Sequence, residues 1–401
     1  QGQPYPYHAT LAKYRYFWNR NHPEALDYFK NVIRFAVEQI QTDLIHLDNY
    51  LCGPGSEPQS MQRFRRYLAE QFSPEQLAKM GITDLETFEP AVLRPGQGPP
   101  ADLAGRAWVD FACQSLADSY RTISTYARSL RSDILMECNP AGVRNRIIQP
   151  IDHGRLLQGG EAFWDESHPS GFDDGTFRNR IRTYKVARLM NNIAFSYTIT
   201  PLEMAESMAF NRDFLGCIGW FEYGRIVDKP YSEKPVSPAL TPFIRFFKSR
   251  RDLLSNTQVV ADVAVLRNFA SQVFADPKYA QAAFQAEQGL IEQRVPFQII
   301  YDHHLSDMQR YKVLVLAGCV ALSDEQIKQI KDYVNRGGRL CIVGPAGTHD
   351  QWLIERAEPG LKDIGPDKII HLAEADNFGR RFCEAYGDQL SLLIDEAPLG
   401  L

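Results

Sequence analysis

The sequence predicts an α/β protein with two parts: a (β/α)8 TIM barrel whose N-terminal strands are absent from this chain, then a flavodoxin-like doubly wound α/β domain. Three observations in the sequence predict this fold. In the first half, amphipathic helices precede short apolar strands that end in carboxylate, amide or aromatic residues, as in a parallel barrel. From about Asn256, strands and helices alternate as in a doubly wound sheet. Only five strands are predicted before that point, whereas a closed barrel needs eight.

The barrel part is assigned to residues 1–254. Helix Ala25–Gln41 carries apolar residues close to a 3.6-residue period and leads into strand Asp43–Leu47. Helix Trp108–Leu130 leads into a second strand, and three more strands follow. These four strands are predicted at Ser132–Met136, Glu161–Trp164, Asn192–Thr198 and Phe214–Trp220. We therefore expect about three further βα units upstream of Gln1.

An insert separates the first two strands. Residues 51–107 contain predicted helices at Ser60–Phe72 and Pro74–Met80, and then a segment rich in proline and glycine. Long inserts on one rim of a barrel usually shape a substrate cleft. The insert is therefore expected to border the substrate site.

The second domain is assigned to residues 255–355, and residues 356–401 are treated as a C-terminal extension of uncertain role. Gly337 and Gly338 suit the end of a helix, where positive φ is needed. The domain lacks the glycine patterns that bind nucleotides, which favours a scaffolding or assembly role. The predicted elements are Val260–Arg267, Pro277–Glu292, Phe297–Tyr301, Lys312–Ala317, Asp324–Arg336 and Arg339–Gly344, with Lys368–Ala373 and Asn377–Ala385 in the extension.

Composition narrows the possible partners. The 401 residues carry a net charge of −5 without a basic block, so a nucleic-acid partner is not expected. No apolar run approaches the roughly 20 residues that span a bilayer, so no membrane partner is expected either. Seven scattered cysteines without a CxxC pair predict buried thiols rather than a disulfide frame or a zinc site. The compartment stays open among secreted, periplasmic and cytoplasmic bacterial locations.

The chain resembles glycoside-hydrolase-like proteins, related to glycoside hydrolase family 42, that couple a TIM barrel to a β-galactosidase trimerisation domain. The resemblance covers roughly residues 20–345. It implies a carbohydrate substrate, no cofactor, and a homo-oligomer, specifically a trimer. The family's insert often carries a cysteine-rich stretch, but only Cys52 stands near that place here, so no metal site is carried over. The matching segments are Asp43–Tyr50, Phe64–Glu70, Pro74–Leu77, Met80–Ile82, Ser115–Asp118, Ile134–Pro140, Ala162–Glu166, Ile181–Arg188, Tyr311–Leu316 and Gly337–Gly338.

Three carboxylates are candidates for catalysis. Glycoside hydrolysis needs one carboxyl group to protonate the leaving oxygen and another to act as nucleophile or base, about 5–10 Å away. Asp48, Glu137 and Glu166 each follow a predicted strand, at the barrel end where active sites form. We assign Asp48 as nucleophile or base and either Glu137 or Glu166 as acid. The alternative is that each caps a helix or pairs with an arginine.

Six residues are candidates for substrate contact. Sugar rings have apolar faces, so their clefts combine aromatic platforms with polar groups. Asn49 and Asn139 adjoin the carboxylates and suit hydroxyl contacts. The aromatic candidates, each of which could instead belong to the core, are Tyr50, Trp164, Tyr197 and Trp220.

The leading hypothesis is a β-galactosidase-like glycoside hydrolase that cleaves an oligo- or polysaccharide. Two alternatives stay open. A barrel without catalysis could bind carbohydrate or serve in assembly. A polysaccharide lyase or transglycosidase could use the same strand-end carboxylates.

Overall fold

The structure is a computed structural model that forms two compact units. The first comprises residues 1–141 and 147–163, and the second comprises residues 142–146 and 164–401. The residues it describes are 6–8, 12–16, 18–51, 53–90, 99–140, 142–143, 151–166, 169–173, 175–218 and 237–390.

The first unit is built on short parallel strands and long helices. Strand β4 lies between β3 and β5 and is parallel to both. The last residue of β5, Trp164, belongs to the second unit. The elements are β1 Pro6–His8, β2 Ala12–Tyr16, α1 Pro23–Phe35, a π-helical turn Ala36–Ile40, β3 Leu44–Leu47, α2 Pro58–Gln71, α3 Pro74–Lys79, α4 Leu103–Leu130, β4 Leu135–Cys138, α5 His153–Leu156 and β5 Ala162–Trp164.

Helix α4 organises this unit. It begins at Asp102, whose side chain accepts a hydrogen bond from Gly105 N at 2.6 Å and so satisfies a free donor of the first turn. The insert helix α2 packs on α4 through Phe64, whose ring centroid lies 4.9 Å from that of Trp108. Phe64 is fully buried, which stabilises the fold by about 1.5–3 kcal/mol relative to an exposed side chain.

A close approach fixes the start of β5 against α4. A Cβ atom on Gly160 would overlap with the hydroxyl of Tyr120 and would lie 2.7 Å from Met136 O. Only glycine fits there, so Tyr120 can stay buried behind β4. Met136 and Cys138 lie on that same buried side of β4, which leaves Glu137 on the opposite side.

The second unit contains a long series of α/β elements. They are β6 Gly171–Asp173, β7 Thr176–Arg178, α6 Ile181–Leu189, β8 Ile193–Phe195, β9 Tyr197–Thr198, α7 Pro201–Phe210, β10 Cys217–Ile218, α8 Thr241–Ser249, α9 Arg251–Leu254, β11 Val263–Arg267, α10 Phe269–Val273, α11 Pro277–Glu292, β12 Phe297–Tyr301, β13 Val313–Ala317, α12 Asp324–Asn335, β14 Arg339–Val343, β15 Ile369–Leu372 and α13 Phe378–Tyr386.

Five of these strands form one parallel sheet in the order β12-β11-β13-β14-β15. Helix α12 covers one face, where Ile327 and Ile330 pack in a cluster with Leu314 and Leu340. Helix α11 contacts β11, β13 and α13. Buried apolar strands covered by helices are what a parallel sheet requires.

The predicted extension belongs to this sheet. Strand β15 pairs with β14, with Leu340 opposite Ile369. Helix α13 crosses α11 so closely that a Cβ atom on Gly289 would lie 2.6 Å from Gly379 N. The five-stranded sheet therefore extends beyond the predicted boundary at 355/356, because its edge strand β15 lies at Ile369–Leu372.

The predicted boundary at 254/255 also falls inside a compact unit. Helix α6 contacts strand β12, where Lys185 Nζ donates to Phe297 O at 2.6 Å and Gln298 Nε2 donates to Lys185 O at 2.7 Å. Arg182 of α6 donates to Glu287 of α11 at 2.8 Å. These buried contacts join the segment around α6 to the five-stranded sheet.

Candidate functional site

Strands β3 and β4 place two titratable side chains next to each other. Their parallel register sets His46 opposite Glu137, so both side chains extend from the same side of the sheet. His46 Nδ1 lies 2.9 Å from Glu137 Oε2. The Glu137 side chain is 3% exposed, whereas that of His46 is 40% exposed. The imidazole therefore lies between a buried carboxylate and the solvent.

Asp48 joins this pair at the end of β3. Its Oδ1 lies 3.8 Å from His46 Nε2 and accepts from Asn139 Nδ2 at 3.3 Å. Asn49 Nδ2 donates to Oδ2 at 2.6 Å. The φ of Asn49 is 50°, a left-handed conformation that asparagine tolerates, so the chain turns as soon as β3 ends. The structure thus brings together four predicted site residues: Asp48, Asn49, Glu137 and Asn139.

Glu137 differs from its predicted position. The prediction ended the second strand at Met136, but β4 runs from Leu135 to Cys138 and contains Glu137. The strand begins late because residues 132–133 form a turn. Among the described residues, Glu137 Oε1 is buried and has no hydrogen-bond partner. An unsatisfied buried polar group costs about 1–3 kcal/mol, and more when it is charged, so this oxygen is a candidate for contact with a ligand.

The prediction that Tyr50 stacks on a sugar is not supported by its surroundings. Its side chain is 2% exposed, its hydroxyl lies 2.6 Å from Ser119 Oγ, and the Arg20 guanidinium lies 4.2 Å from its ring centroid. Burial raises the pKa of Tyr50, against the opposing effect of Arg20. A platform needs an open ring face, which Tyr50 lacks, so it is a core residue.

Two other aromatic candidates meet in the second unit. The rings of Trp164 and Tyr197 lie 5.1 Å apart in an edge-to-face arrangement, and both residues are half-buried. Glu166 is exposed two residues beyond Trp164. The buried carboxylate here is its neighbour Asp165, which accepts a hydrogen bond from Thr183 Oγ1. Trp220 lies outside the described residues.

Several solved structures are similar to this chain in fold. An exo-carrageenase of glycoside hydrolase family 42 from Bacteroides ovatus matches with a TM-score of 0.71 at 11% identity, covering 94% of this chain and 60% of that one. In fold, the chain is related to the glycoside hydrolase family 42 enzymes. Gan42B, a family 42 β-galactosidase from G. stearothermophilus, matches with a TM-score of 0.69 at 15% identity, covering 86% and 59%. The β-galactosidase of Rahnella sp. R3 gives 0.70 at 12%, covering 88% and 59%.

Because the sequence identities to these structures are low, the similarity to family 42 concerns the fold alone. The chain spans about three-fifths of the length of these solved structures. No protein-family model and no curated protein sequence matches it. The architecture it shares with the family 42 enzymes is an α/β fold with parallel sheets.

Sequence reasoning undervalued His46 in this family 42 fold. The candidates selected from the sequence are carboxylates, amides and aromatic residues and do not include His46, but its side chain is accessible and contacts two of the candidate carboxylates. The period of two along an extended chain could have revealed this, because it places His46 and Asp48 on the same side.

A second buried polar cluster was also missed. Arg180 is 2% exposed and pairs with Glu203 at 3.2 Å. Glu206 Oε2 accepts from Ser170 Oγ at 2.5 Å and from Arg180 N at 3.3 Å, so it joins the two ends of the β6–β7 hairpin. Burial raises the pKa of Glu206. These contacts account for the cluster as a clamp on the hairpin.

Doubly wound sheets usually bind ligands outside the carboxyl ends of the strands where the strand order reverses, which here are β11 and β13. In this protein, hydrogen bonds join the segments that follow these two strands. There Ser271 Oγ accepts from Ala321 N at 2.9 Å and donates to Ala321 O at 3.3 Å. Cys319 is 1% exposed, and burial raises the pKa of its thiol, which does not suit a nucleophile.

The described residues contain neither a metal-binding cluster nor a membrane-spanning helix. No group of three or more His, Cys, Asp or Glu side chains there is arranged to hold a metal ion. None of the helices in those ranges is long and apolar enough to cross a bilayer. The six cysteines described are free thiols, four of them buried, as the sequence predicted for most.

Proposed function

We propose that this chain forms part of a glycoside hydrolase that cleaves O-glycosidic bonds with two carboxylates. The observation that carries the proposal is the buried Oε1 of Glu137, which has no hydrogen-bond partner in the described part of the chain and lies beside the His46–Asp48 contact, near the ends of adjacent parallel strands. The relation in fold to solved glycoside hydrolases supports it.

The carboxylates suit different roles. Glu137 is enclosed, and its Oε1 has no hydrogen-bond partner among the described residues, so this oxygen is placed to give a proton to a ligand and Glu137 serves as the acid. Asp48 is 57% exposed, and two amide groups donate to its oxygens and orient the carboxylate, which suits a nucleophile or base. Both contact one imidazole ring, which keeps them within the roughly 10 Å that glycosidases allow between their pair.

Each unit has groups of the kind that bind a sugar. Asn49 and Asn139 lie beside Asp48, where their amides can contact hydroxyl groups as well as orient the carboxylate. In the second unit, Trp164 and Tyr197 form a partly exposed aromatic pair of the kind that stacks on sugar faces. Glu166 is retained as a third candidate carboxylate because it is exposed and follows β5.

We also propose a fold and a role for each of the two domains. The parallel strands of the first unit would belong to a (β/α)8 barrel. The order β12-β11-β13-β14-β15 corresponds to 2-1-3-4-5, the order of flavodoxin-like sheets. Because hydrogen bonds between Ser271 and Ala321 join the two chain segments at the usual ligand crevice of this sheet, an assembly role suits it, as in a homotrimer.

The test is hydrolysis by the full-length protein across a panel of aryl glycosides and neutral and sulfated oligosaccharides. Glu137→Gln and Asp48→Asn should each reduce turnover about 10²–10⁴-fold. Asp43→Asn and Glu161→Gln are matched controls, because Asp43 pairs with Arg131 and Glu161 with Arg128 at the opposite ends of their strands. Glu166→Gln tests the third candidate.

Two results would reject the proposal. Full turnover by both Glu137→Gln and Asp48→Asn would exclude the assigned pair. Saccharide binding without release of product from any substrate would favour a carbohydrate-binding protein.

A further inference from the structure

His46 contacts both proposed catalytic carboxylates. Glu137 approaches it from β4 at 2.9 Å, and Asp48 approaches from the end of its own strand at 3.8 Å. The two contacts use different ring nitrogens, Nδ1 for Glu137 and Nε2 for Asp48. The tautomer of the imidazole therefore couples the hydrogen bonding of the two carboxylates.

The two oxygens of Glu137 have unequal surroundings. Oε2 faces His46 Nδ1, whereas Oε1 is buried without a partner among the described residues. When Nδ1 carries its hydrogen and donates to Oε2, a proton on the carboxyl group is favoured at Oε1. The imidazole thereby determines which oxygen can give a proton to a ligand.

We propose that His46 is a positioning residue that directs the acidic proton of Glu137 to Oε1. This inference rests on the proposed function. In the reaction, the Oε1 proton moves to the leaving glycosidic oxygen. The electron pair of the breaking C–O bond passes to that same oxygen. Glu137 is left as a carboxylate, and the Nδ1–H donor of His46 stabilises its negative charge at Oε2.

The chain contains a matched control histidine. Strand β15 has the sequence Ile-Ile-His-Leu and strand β3 has Leu-Ile-His-Leu, and both strands show the same pattern of burial. His371 thus occupies the same place in its strand as His46 and is also exposed. It lies in the five-stranded sheet of the second unit, away from the proposed carboxylate pair by sequence and by unit.

The kinetic test compares His46→Phe, His46→Asn and His371→Phe in the full-length protein. Phenylalanine removes the donor, so His46→Phe should lose about 10²-fold in kcat on substrates with a poor leaving group, which need the acid. It should lose little on dinitrophenyl glycosides, which do not need one. Asparagine restores an N–H donor near the position of Nδ1 and should recover most of the rate. His371→Phe should match the wild type.

The pH profile separates positioning from a general structural defect. Without the donor at Oε2 the carboxylate of Glu137 is less stable, so activity should persist to higher pH. The alkaline limb of kcat/KM should move up by about one pH unit in His46→Phe. A uniform loss on all leaving groups with an unchanged pH profile would overturn the proposal.

A measurement without turnover distinguishes this proposal from the proposed function. Nitrogen-15 NMR of the His46 ring should show that the neutral imidazole carries its hydrogen on Nδ1, and this preference should weaken in Glu137→Leu, which removes the acceptor, while the His371 ring should not change. A hydrogen on Nε2 in the wild type overturns the role of His46 even in an active enzyme. A hydrogen on Nδ1 without any hydrolysis of the substrate panel rejects the hydrolase and, with it, the role of His46 in catalysis.

Discussion

Two buried glutamates, one in each unit, have opposite surroundings. Glu287 on α11 is fully buried, and each of its oxygens accepts a hydrogen bond from Arg267, both at 2.7 Å. Arg182 adds a bond at 2.8 Å. Glu137 on β4 is almost as buried, but the partner that the structure describes for it is a histidine, His46, which is charged only when protonated, and Oε1 has no partner among the described residues.

The comparison separates a structural carboxylate from a functional candidate. A buried carboxylate whose two oxygens both accept from arginines is typical of a rigid core, where removal of either partner is costly. A buried carboxylate with one oxygen that lacks a hydrogen-bond partner lowers the stability of the fold. Such carboxylates occur mainly at binding and catalytic sites. Burial alone would have ranked the two glutamates together.

The largest effect on stability is expected at Glu287. Glu287→Gln removes the main counter-charge of two buried arginines and should lower the free energy of unfolding by about 3–5 kcal/mol. Urea denaturation of the purified protein measures this. Gln281→Ala, an exposed change on the same helix, should stay within about 0.5 kcal/mol. A small effect at Glu287 would remove the structural half of the comparison.

Lys185 sharpens the comparison, because it is a buried cation whose main partner is a carbonyl. Burial lowers its pKa to about 8, from 10.5. Below pH 8 Lys185 is protonated in both states, and the folded state carries the full cost of burying the charge. Between about pH 8 and 10.5 the folded state has lost this proton but the unfolded state still binds it, so stability rises with pH. The rise ends near pH 10.5, where lysine in the unfolded state also loses its proton.

The stability of the wild type relative to Lys185→Met should therefore rise by about 2 kcal/mol between about pH 7 and 9.5. Denaturation curves at several pH values provide the measurement, and Lys278→Met, an exposed change, is the control. A pH-independent difference would show that the ammonium group is not held at this cost.

The smallest effect is expected at Tyr50. Tyr50→Phe removes the hydroxyl beside Ser119 and should lower stability by about 1 kcal/mol while leaving hydrolysis unchanged. Trp164→Ala, in contrast, should weaken saccharide binding. If Tyr50→Phe altered the apparent affinity for substrate at normal stability, the assignment of Tyr50 to the core would fail.

The sequence predicts much of the second unit. Helix Pro277–Glu292 and strand Phe297–Tyr301 have the predicted bounds, because Asp276 and Pro277 start the helix and an unbroken apolar run marks a buried strand. Strand β15 and helix α13 were also predicted. Their membership in the sheet was not, because it depends on pairing with β14 rather than on any local signal.

The candidate site was predicted in its residue types but not in its contacts. Strand-end reasoning selected Asp48, Glu137 and the neighbouring amides. The His46–Glu137 contact spans 91 positions and follows from the register of β3 and β4, which periodicity does not determine. The Arg182–Glu287 pair spans 105 positions, and no spacing rule indicates it.

The most direct test of the central claim measures turnover per folded molecule and unfolding free energy together, for Glu137→Gln and Glu287→Gln on one substrate. We predict opposite results. Glu137→Gln should lose about 10²–10⁴-fold in kcat while its stability changes by no more than about 1 kcal/mol. Glu287→Gln should lose stability while its folded fraction keeps normal turnover. A Glu137→Gln variant that unfolds but remains active when folded would contradict the account.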